Sequence, residues 1–121
     1  MKVCITASGN DMNSDSDPRF GRCSFFIIAD SENGDFEAFE NQAAAGDGAG
    51  VKAAGFVAGK KPDCVITGNI GPNAFSALKA AGIAVYTGSS GKAAEVLEAF
   101  KEGKYGETDS PTSAAHNGMR K

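Results

Sequence analysis

The sequence predicts a single α/β domain with a mixed five-stranded sheet. An alternating apolar strand occupies residues 2–7, and Asn33-Gly34 is a hairpin signal between two further strands. Two later apolar strands each follow a helical segment. Strands joined by a tight turn pair antiparallel, whereas strands joined through a helix run parallel. The predicted order is therefore β-β-β-α-β-α-β-α, with the helices on the faces of the sheet.

Each predicted strand is short and bounded by turn residues. In the first strand, Val3, Ile5 and Ala7 lie on one face, and Cys4 and Thr6 lie on the other. The remaining strands are predicted at residues 24–30, 35–41, 63–67 and 83–86. The second strand should run antiparallel to its neighbours.

Three helices are predicted after the third strand, at about residues 50–60, 72–82 and 91–102. Pro72 suits the first position of a helix, and Gly82 suits the C-terminal cap. After Tyr105 no apolar periodicity remains. Residues 1–105 are therefore predicted to form the domain, and residues 106–121, with the lone histidine His116, a disordered tail.

Composition excludes several classes of protein. The chain has 121 residues and a net charge of -3, and its basic residues are dispersed, which argues against a nucleic-acid binder. No apolar run is long enough to span a membrane, and the N-terminus lacks the pattern of a signal peptide. Three widely spaced cysteines form no disulfide framework. We expect a cytoplasmic protein, either a monomer or a weak homodimer.

The segment Asp17-Pro18-Arg19-Phe20-Gly21-Arg22-Cys23 stands out in the first long loop. Four of the five strands should end at one edge of the sheet, where open α/β sheets bind ligands. The loops at 8–23, 41–50, 68–73 and 87–91 leave from that edge. Cys23 is predicted at the same edge, whereas Cys64 lies at the opposite one and Cys4 lies within a strand. Only Cys23 is therefore placed for chemistry.

Two short patterns approach known sites but lack an essential residue. Residues 11–22 have the spacing of a calcium loop, but Ser16 replaces its glycine and Arg22 its glutamate. Residues 87–93 approach a phosphate-binding loop, but Ala93 stands where a hydroxyl is needed. The central strands carry no paired carboxylates for two-metal cleavage. We therefore predict no catalytic residues.

Five stretches of the chain resemble the dinitrogenase iron–molybdenum cofactor biosynthesis family, over about residues 1–105. That family includes NifX-like and NafY-like proteins and the C-terminal domain of NifB-like proteins. The stretches are residues 1–5, Arg19 to Cys23, Asn41 with residues 46–50, Asp63 to Ala74, and Leu78 with Ala81 to Tyr86. The resemblance implies a three-layer ribonuclease H-like fold. It also implies binding of an iron–sulfur-type cofactor or its precursor without catalysis.

Two functions fit these observations. In the first, the protein carries an anionic iron–sulfur or iron–molybdenum-type cluster between donor and acceptor proteins. Cys23 is then the metal ligand, and Arg19 and Arg22 neutralise the cluster and lower the pKa of the thiol. Backbone N–H groups at 69–73 and 89–92 complete the rim. In the second, the protein is a metal-free module for a small organic anion or phosphate. The expected binding residues are Arg19, Phe20, Gly21, Arg22, Cys23, Asn41, Gly68, Asn69, Gly71, Ser89 and Ser90.

Overall fold

The computed structural model of the protein describes residues 1–112. Its elements are β1 (Lys2–Ala7), β2 (Phe25–Asp30), β3 (Phe36–Glu40), α1 (Ala49–Lys60), β4 (Cys64–Ile66), α2 (Pro72–Ala80), β5 (Ala84–Tyr86) and α3 (Ala93–Lys101). This is the predicted order, and every strand begins and ends within one residue of its predicted position. None of the helices in this part of the chain is long and apolar enough to cross a bilayer.

The five strands form one sheet in the order β3-β2-β1-β4-β5. Strand β2 is antiparallel to both β1 and β3, and β4 is parallel to both β1 and β5. Strands β1, β3, β4 and β5 therefore end at the same edge, which we call the carboxyl edge. The topological prediction is confirmed, and with it the place where the four loops leave the sheet.

The alternation of β1 separates two cores. Val3 and Ile5 pack in the cluster that α3 covers, whereas Cys4 belongs to the cluster under α1 and α2. The result is a three-layer α/β fold, with α1 and α2 on one face of the sheet and α3 on the other. Cys4 and Cys64 are both buried, as expected for small core residues.

The end of the described chain differs from the predicted disordered tail. The N–H of Thr108 donates to the carbonyl of Val85, at 2.7 Å, beside β5. The N–H of Thr112 donates to the carbonyl of Ile70, and the Thr112 hydroxyl accepts from the Ile70 N–H, each at 2.9 Å. Main-chain hydrogen bonds of this kind need no apolar periodicity, so they could not be predicted from the sequence pattern. His116 lies outside the described residues.

Candidate functional site

The loop that follows β1 runs across the carboxyl edge. The Thr6 hydroxyl donates to the carbonyl of Asp17 at 2.6 Å, which holds the loop to the end of β1. Further along, the Asn69 N–H donates to the carbonyl of Pro18 at 2.7 Å, and the Phe20 N–H donates to the carbonyl of Asn69 at 3.3 Å. The loop therefore reaches the segment between β4 and α2, and the predicted site residues of both segments lie side by side.

Arg19 is held by Asp17. Its Nε and one terminal nitrogen each donate to the carboxylate at 3.1 Å, and its backbone N–H donates at 2.9 Å. The Asp17 side chain is only 7% exposed, whereas the Arg19 side chain is 61% exposed. A guanidinium has five N–H donors, so this pairing leaves donors for an external anion. Arg19 is therefore fixed in direction and still open to solvent.

Asp17 is a positioning residue that our list of binding residues omitted. Burial favours the neutral carboxyl group, but the hydrogen bonds and charge of Arg19 outweigh it and hold the pKa of Asp17 below its ordinary value. The sequence did carry a signal. An aspartate side chain commonly accepts a hydrogen bond from the backbone N–H two residues later, in an Asx-turn, and Arg19 stands at that position.

Replacing Asp17 with asparagine is expected to lower the free energy of unfolding at pH 7 by about 1 to 2 kcal/mol, because a charged hydrogen-bond acceptor is lost. A carboxyl group with a lowered folded-state pKa stabilises the fold above its unfolded pKa and loses that effect as the pH falls through the folded pKa. The Asp17→Asn variant should therefore approach wild-type stability near pH 3. Urea unfolding at pH 7 and pH 3 tests this, and an equal deficit at both would contradict it.

Arg22 braces a neighbouring loop, although the residue is exposed. One of its terminal nitrogens donates to the carbonyl of Ala44 at 2.8 Å and to that of Gly46 at 3.2 Å. This contact directs one nitrogen of Arg22 to the segment between β3 and α1, and the proposed neutralisation of cargo by Arg22 stays a prediction. No charge pattern in the sequence distinguishes a carbonyl partner from an anion.

Asn41 is likewise occupied within the protein. Its side-chain amide donates to the carbonyls of Gly21 and Cys23, at 3.0 and 2.8 Å, and its oxygen accepts from the Ala43 N–H at 3.0 Å. Asn41 is buried. It therefore joins the start of β2 to the end of β3, and its effect on any ligand is through the position of that loop.

The prediction that Cys23 is an accessible thiol with a lowered pKa is wrong. Its side chain is 0% exposed, and the thiol donates to the carbonyl of Phe20 at 3.3 Å. Burial, and then the charge of Asp17, raises the pKa of Cys23 to about 12. The arginines do not reverse this, because Arg19 is paired with Asp17 and Arg22 binds elsewhere. Within residues 1–112, no three His, Cys, Asp or Glu side chains are grouped to hold a metal ion.

In the predicted amide rim at 89–92, the N–H groups of Ser89 and Lys92 are already bonded within the protein. The N–H groups of Ala93 and Ala94 donate to the carbonyls of Ser14 and Met12, at 2.8 and 2.9 Å. Glu95 accepts from the N–H of the residue before the helix, at 2.8 Å. The loop after β1 therefore caps α3 with carbonyl oxygens, which occupies two of the N–H groups that an anion would use there.

The two predicted serines lie beside this loop. Ser90 is exposed, and Ser89 is buried, with its N–H donating to the carbonyl of Thr67 at 3.2 Å. The Ser89 hydroxyl has no hydrogen-bond partner among the described residues. Neither serine is brought into contact with Arg19 by a hydrogen bond that the structure describes.

The helix N-termini that remain suited to an anion belong to α1 and α2. Their N-caps are Gly48 and Gly71, neither helix has a capping side chain, and neither has an acidic residue in its first turn. The two ends are close, since a Cβ built on Gly50 would lie 3.5 Å from the Cβ of Ala74. A Cβ on Gly21 would lie 2.7 Å from the backbone of Gly50. The partial positive charges of these two helix N-termini therefore lie close together beneath the loop that follows β1, which we call the crossing loop.

Gly68 permits the loop to lie this close to β4. A Cβ at Gly68 would come within 2.6 Å of Pro18, so any larger residue would push the loop outward. The candidate site therefore consists of Arg19, the crossing loop through Gly21, the segment from Gly68 to Gly71, and the first turns of α1 and α2. Phe20 is 2% exposed and packs below this surface.

Comparison with known proteins agrees with this architecture. A family model described as dinitrogenase iron-molybdenum cofactor matches residues 1–103. An uncharacterised protein of Methanocaldococcus jannaschii is 36% identical over 108 residues, which cover 86% of this chain and 88% of that one. The chain is therefore similar to proteins of one family over nearly its whole described length.

Two solved structures are also similar. The apo form of the orange protein from Desulfovibrio gigas superposes with a TM-score of 0.89 at 31% identity, covering 93% of this chain and 96% of that one. A candidate NifB protein from Thermotoga superposes with a TM-score of 0.77 at 40% identity, covering 88% and 91%.

Proposed function

Because this chain belongs to the dinitrogenase iron–molybdenum cofactor family, we propose that it carries an anionic iron–sulfur or iron–molybdenum-type cluster, or its precursor, without transforming it. The cargo passes between a donor and an acceptor protein. The observation that carries this proposal is the convergence of two uncapped helix N-termini beside the exposed, fixed guanidinium of Arg19. The structure of the orange protein relative is that of its apo form, which implies that this relative also has a ligand-bound form.

The residues present favour a cluster held as an intact anion over one ligated by the protein. Cys23 is buried and protonated at neutral pH, so it offers no thiolate to iron. Helix N-termini and Arg19 instead supply N–H donors and positive charge, which are suited to the sulfide and outer ligand atoms of an anionic cluster. Reversible retention of this kind also suits a carrier, because no metal–protein bond has to break at transfer.

The same chemistry favours one alternative, a metal-free module for a small organic anion or phosphate. The supporting observation is that no three His, Cys, Asp or Glu side chains of residues 1–112 are grouped to ligate a metal ion. Anaerobic purification from cells supplied with iron and molybdenum, followed by metal analysis, separates the two. Bound iron or molybdenum supports the carrier, whereas metal-free protein that binds inorganic phosphate supports the alternative.

Replacing Arg19 with glutamine is expected to lower the fraction of bound metal about tenfold, which corresponds to one charged hydrogen-bonding contact of about 1.4 kcal/mol. Lys101→Gln is the matched control, because Lys101 is exposed on α3 and pairs only with Glu98 within the described chain. Its metal content should equal that of the wild type. Equal losses in both variants would indicate a general charge effect and would contradict a site at Arg19.

A further inference from the structure

The outer face of helix α1 exposes apolar residues and glycines. Val51, in the first turn of α1, is 48% exposed, and Phe56, in the middle of the helix, is 38% exposed, although both have large hydrophobic side chains. We define the α1 face as the exposed residues of the helix: Val51, Lys52, Gly55, Phe56, Gly59 and Lys60. One side of the Phe56 ring packs on Phe26 and Phe39 of the sheet, and the rest of the ring is exposed. The buried residues of α1 lie on its opposite side.

The two glycines of the α1 face have no role in the internal packing of the described chain. A Cβ built on Gly55 or Gly59 would meet no atom within 4 Å outside the backbone of the helix. Glycine in an exposed helix interior destabilises the helix by about 1 kcal/mol relative to alanine. That cost is explained if another molecule approaches the helix backbone closely, since only glycine leaves room for such an approach.

A cavity adjoins this face. It has a volume of about 370 Å³ and lies between α1 and the segment that follows β3. Its lining residues are Asn41, Gln42, Ala43, Gly46, Lys52 and Phe56. Arg22 and the Asn41 amide hold the segment in place through the hydrogen bonds described above. The cavity is therefore preformed, and its aromatic wall suits an apolar side chain.

The charge of the α1 face is entirely positive. Helix α1 has no acidic residue, although the whole chain has a net charge of -3. Within residues 1–112, Lys52 and Lys60 form no salt bridge, whereas Lys79 and Lys92 each pair with a carboxylate. Lys60 instead lies 4.2 Å from the ring centre of Phe39. The face thus presents two cations that pair with no carboxylate of residues 1–112, and Lys60 lies over the rings of Phe39 and Phe56.

We propose that the α1 face docks an acidic, amphipathic segment of a partner protein. An apolar side chain of the segment enters the cavity against Phe56, its backbone lies over Gly55 and Gly59, and its carboxylates pair with Lys52 and Lys60. Charge complementarity selects this occupant, because unpaired lysines beside an apolar groove favour flanking carboxylates. Docking itself does not depend on the cargo. Helix α1 begins at the candidate site, so a partner bound here lies next to the carboxyl edge.

The test uses the full chain, labelled with ¹⁵N, and two synthetic helical peptides. One peptide has leucines on one face and flanking glutamates, and in the other lysines replace the glutamates. We expect the glutamate peptide to shift the amide signals of residues 41–60 and the lysine peptide to leave them unchanged. The double variant Lys52→Glu/Lys60→Glu should weaken binding of the glutamate peptide at least tenfold and bind the lysine peptide. Lys101→Glu, on α3, is the control and should bind as the wild type does.

Alanine variants separate docking from folding. Gly55→Ala and Gly59→Ala should each raise the midpoint of thermal unfolding by about 2 to 5 °C, because helix propensity improves. Each should also weaken binding of the glutamate peptide at least fivefold, because the added methyl group blocks backbone approach. Weaker binding by a more stable protein cannot come from unfolding. Unchanged binding in both variants would overturn the close approach.

Three other results would overturn the proposal. One is the absence of shifts in residues 41–60 at about 1 mM glutamate peptide, which corresponds to a free energy weaker than about -4 kcal/mol. Another is equal binding of both peptides. The third is concentration-dependent dimerisation in sedimentation experiments that Lys52→Glu/Lys60→Glu abolishes, since the occupant would then be a second copy of this chain.

Discussion

Replacing Gly21 with alanine is expected to lower the free energy of unfolding by about 2 to 3 kcal/mol. This is the upper part of the range of destabilisation found when a well-packed site is overfilled. A Cβ at Gly21 would lie 2.7 Å from both N and Cα of Gly50, and backbone atoms in a helix cannot turn aside as a side chain can. The crossing loop or the start of α1 must therefore move. Because that contact also sets the spacing of the candidate site, the bound-metal fraction should fall with the stability.

Gly46→Ala is the matched control for this substitution. Both glycines lie in loops at the carboxyl edge, but a Cβ at Gly46 would come no closer than 3.9 Å to the carbonyl of Ala43. This variant should remain within about 0.5 kcal/mol of the wild type, as surface substitutions usually do. Urea unfolding measures both. A Gly21→Ala variant as stable as Gly46→Ala would show that the close approach to Gly50 is not maintained in solution.

Alkaline pH is expected to destabilise the protein steeply, because three thiols are buried in it. Burial raises the pKa of Cys23 and of Cys64 to about 12 and raises the pKa of Cys4 as well. In the unfolded chain a thiol has a pKa near 8.5. Between about pH 8.5 and 12 the unfolded chain therefore releases protons that the folded chain keeps. The buried thiols make their full contribution to the free energy of unfolding below about pH 8.5. Above that pH the free energy of unfolding falls by about 1.4 kcal/mol per pH unit for each thiol.

The Cys23→Ala variant isolates the contribution of one thiol. Its free energy of unfolding at pH 8 should be lower, because a small cavity is left, but its slope between pH 9 and 11 should be shallower by about 1.4 kcal/mol per pH unit. Tyr86→Phe controls for other groups that titrate in this range. Urea unfolding under reducing, anaerobic conditions gives both slopes. An unchanged slope in Cys23→Ala would mean that Cys23 is ionised, and thus accessible, in the folded protein.

Local patterns in the sequence determined the fold. The alternation of Val3, Cys4 and Ile5 assigned β1 and the two faces of the sheet, and the structure places these residues in the two cores accordingly. Pro72 begins α2 as predicted, and Gly82 follows its end with a φ of 78°. These signals act within one or two turns of chain, so they are visible without knowledge of distant contacts.

The tertiary structure alone decided the chemistry of the site. Whether Arg22 meets an anion or the carbonyl of Ala44, and whether Cys23 is exposed or buried, depends on contacts between segments about 20 residues apart. The loops that meet at the carboxyl edge were predicted correctly, but a guanidinium or an amide pairs equally well with protein or ligand. The pairing is set by which loops cross and how closely they pack. Here Arg19 pairs with Asp17 and stays exposed, whereas Asn41 and one nitrogen of Arg22 hold the loops.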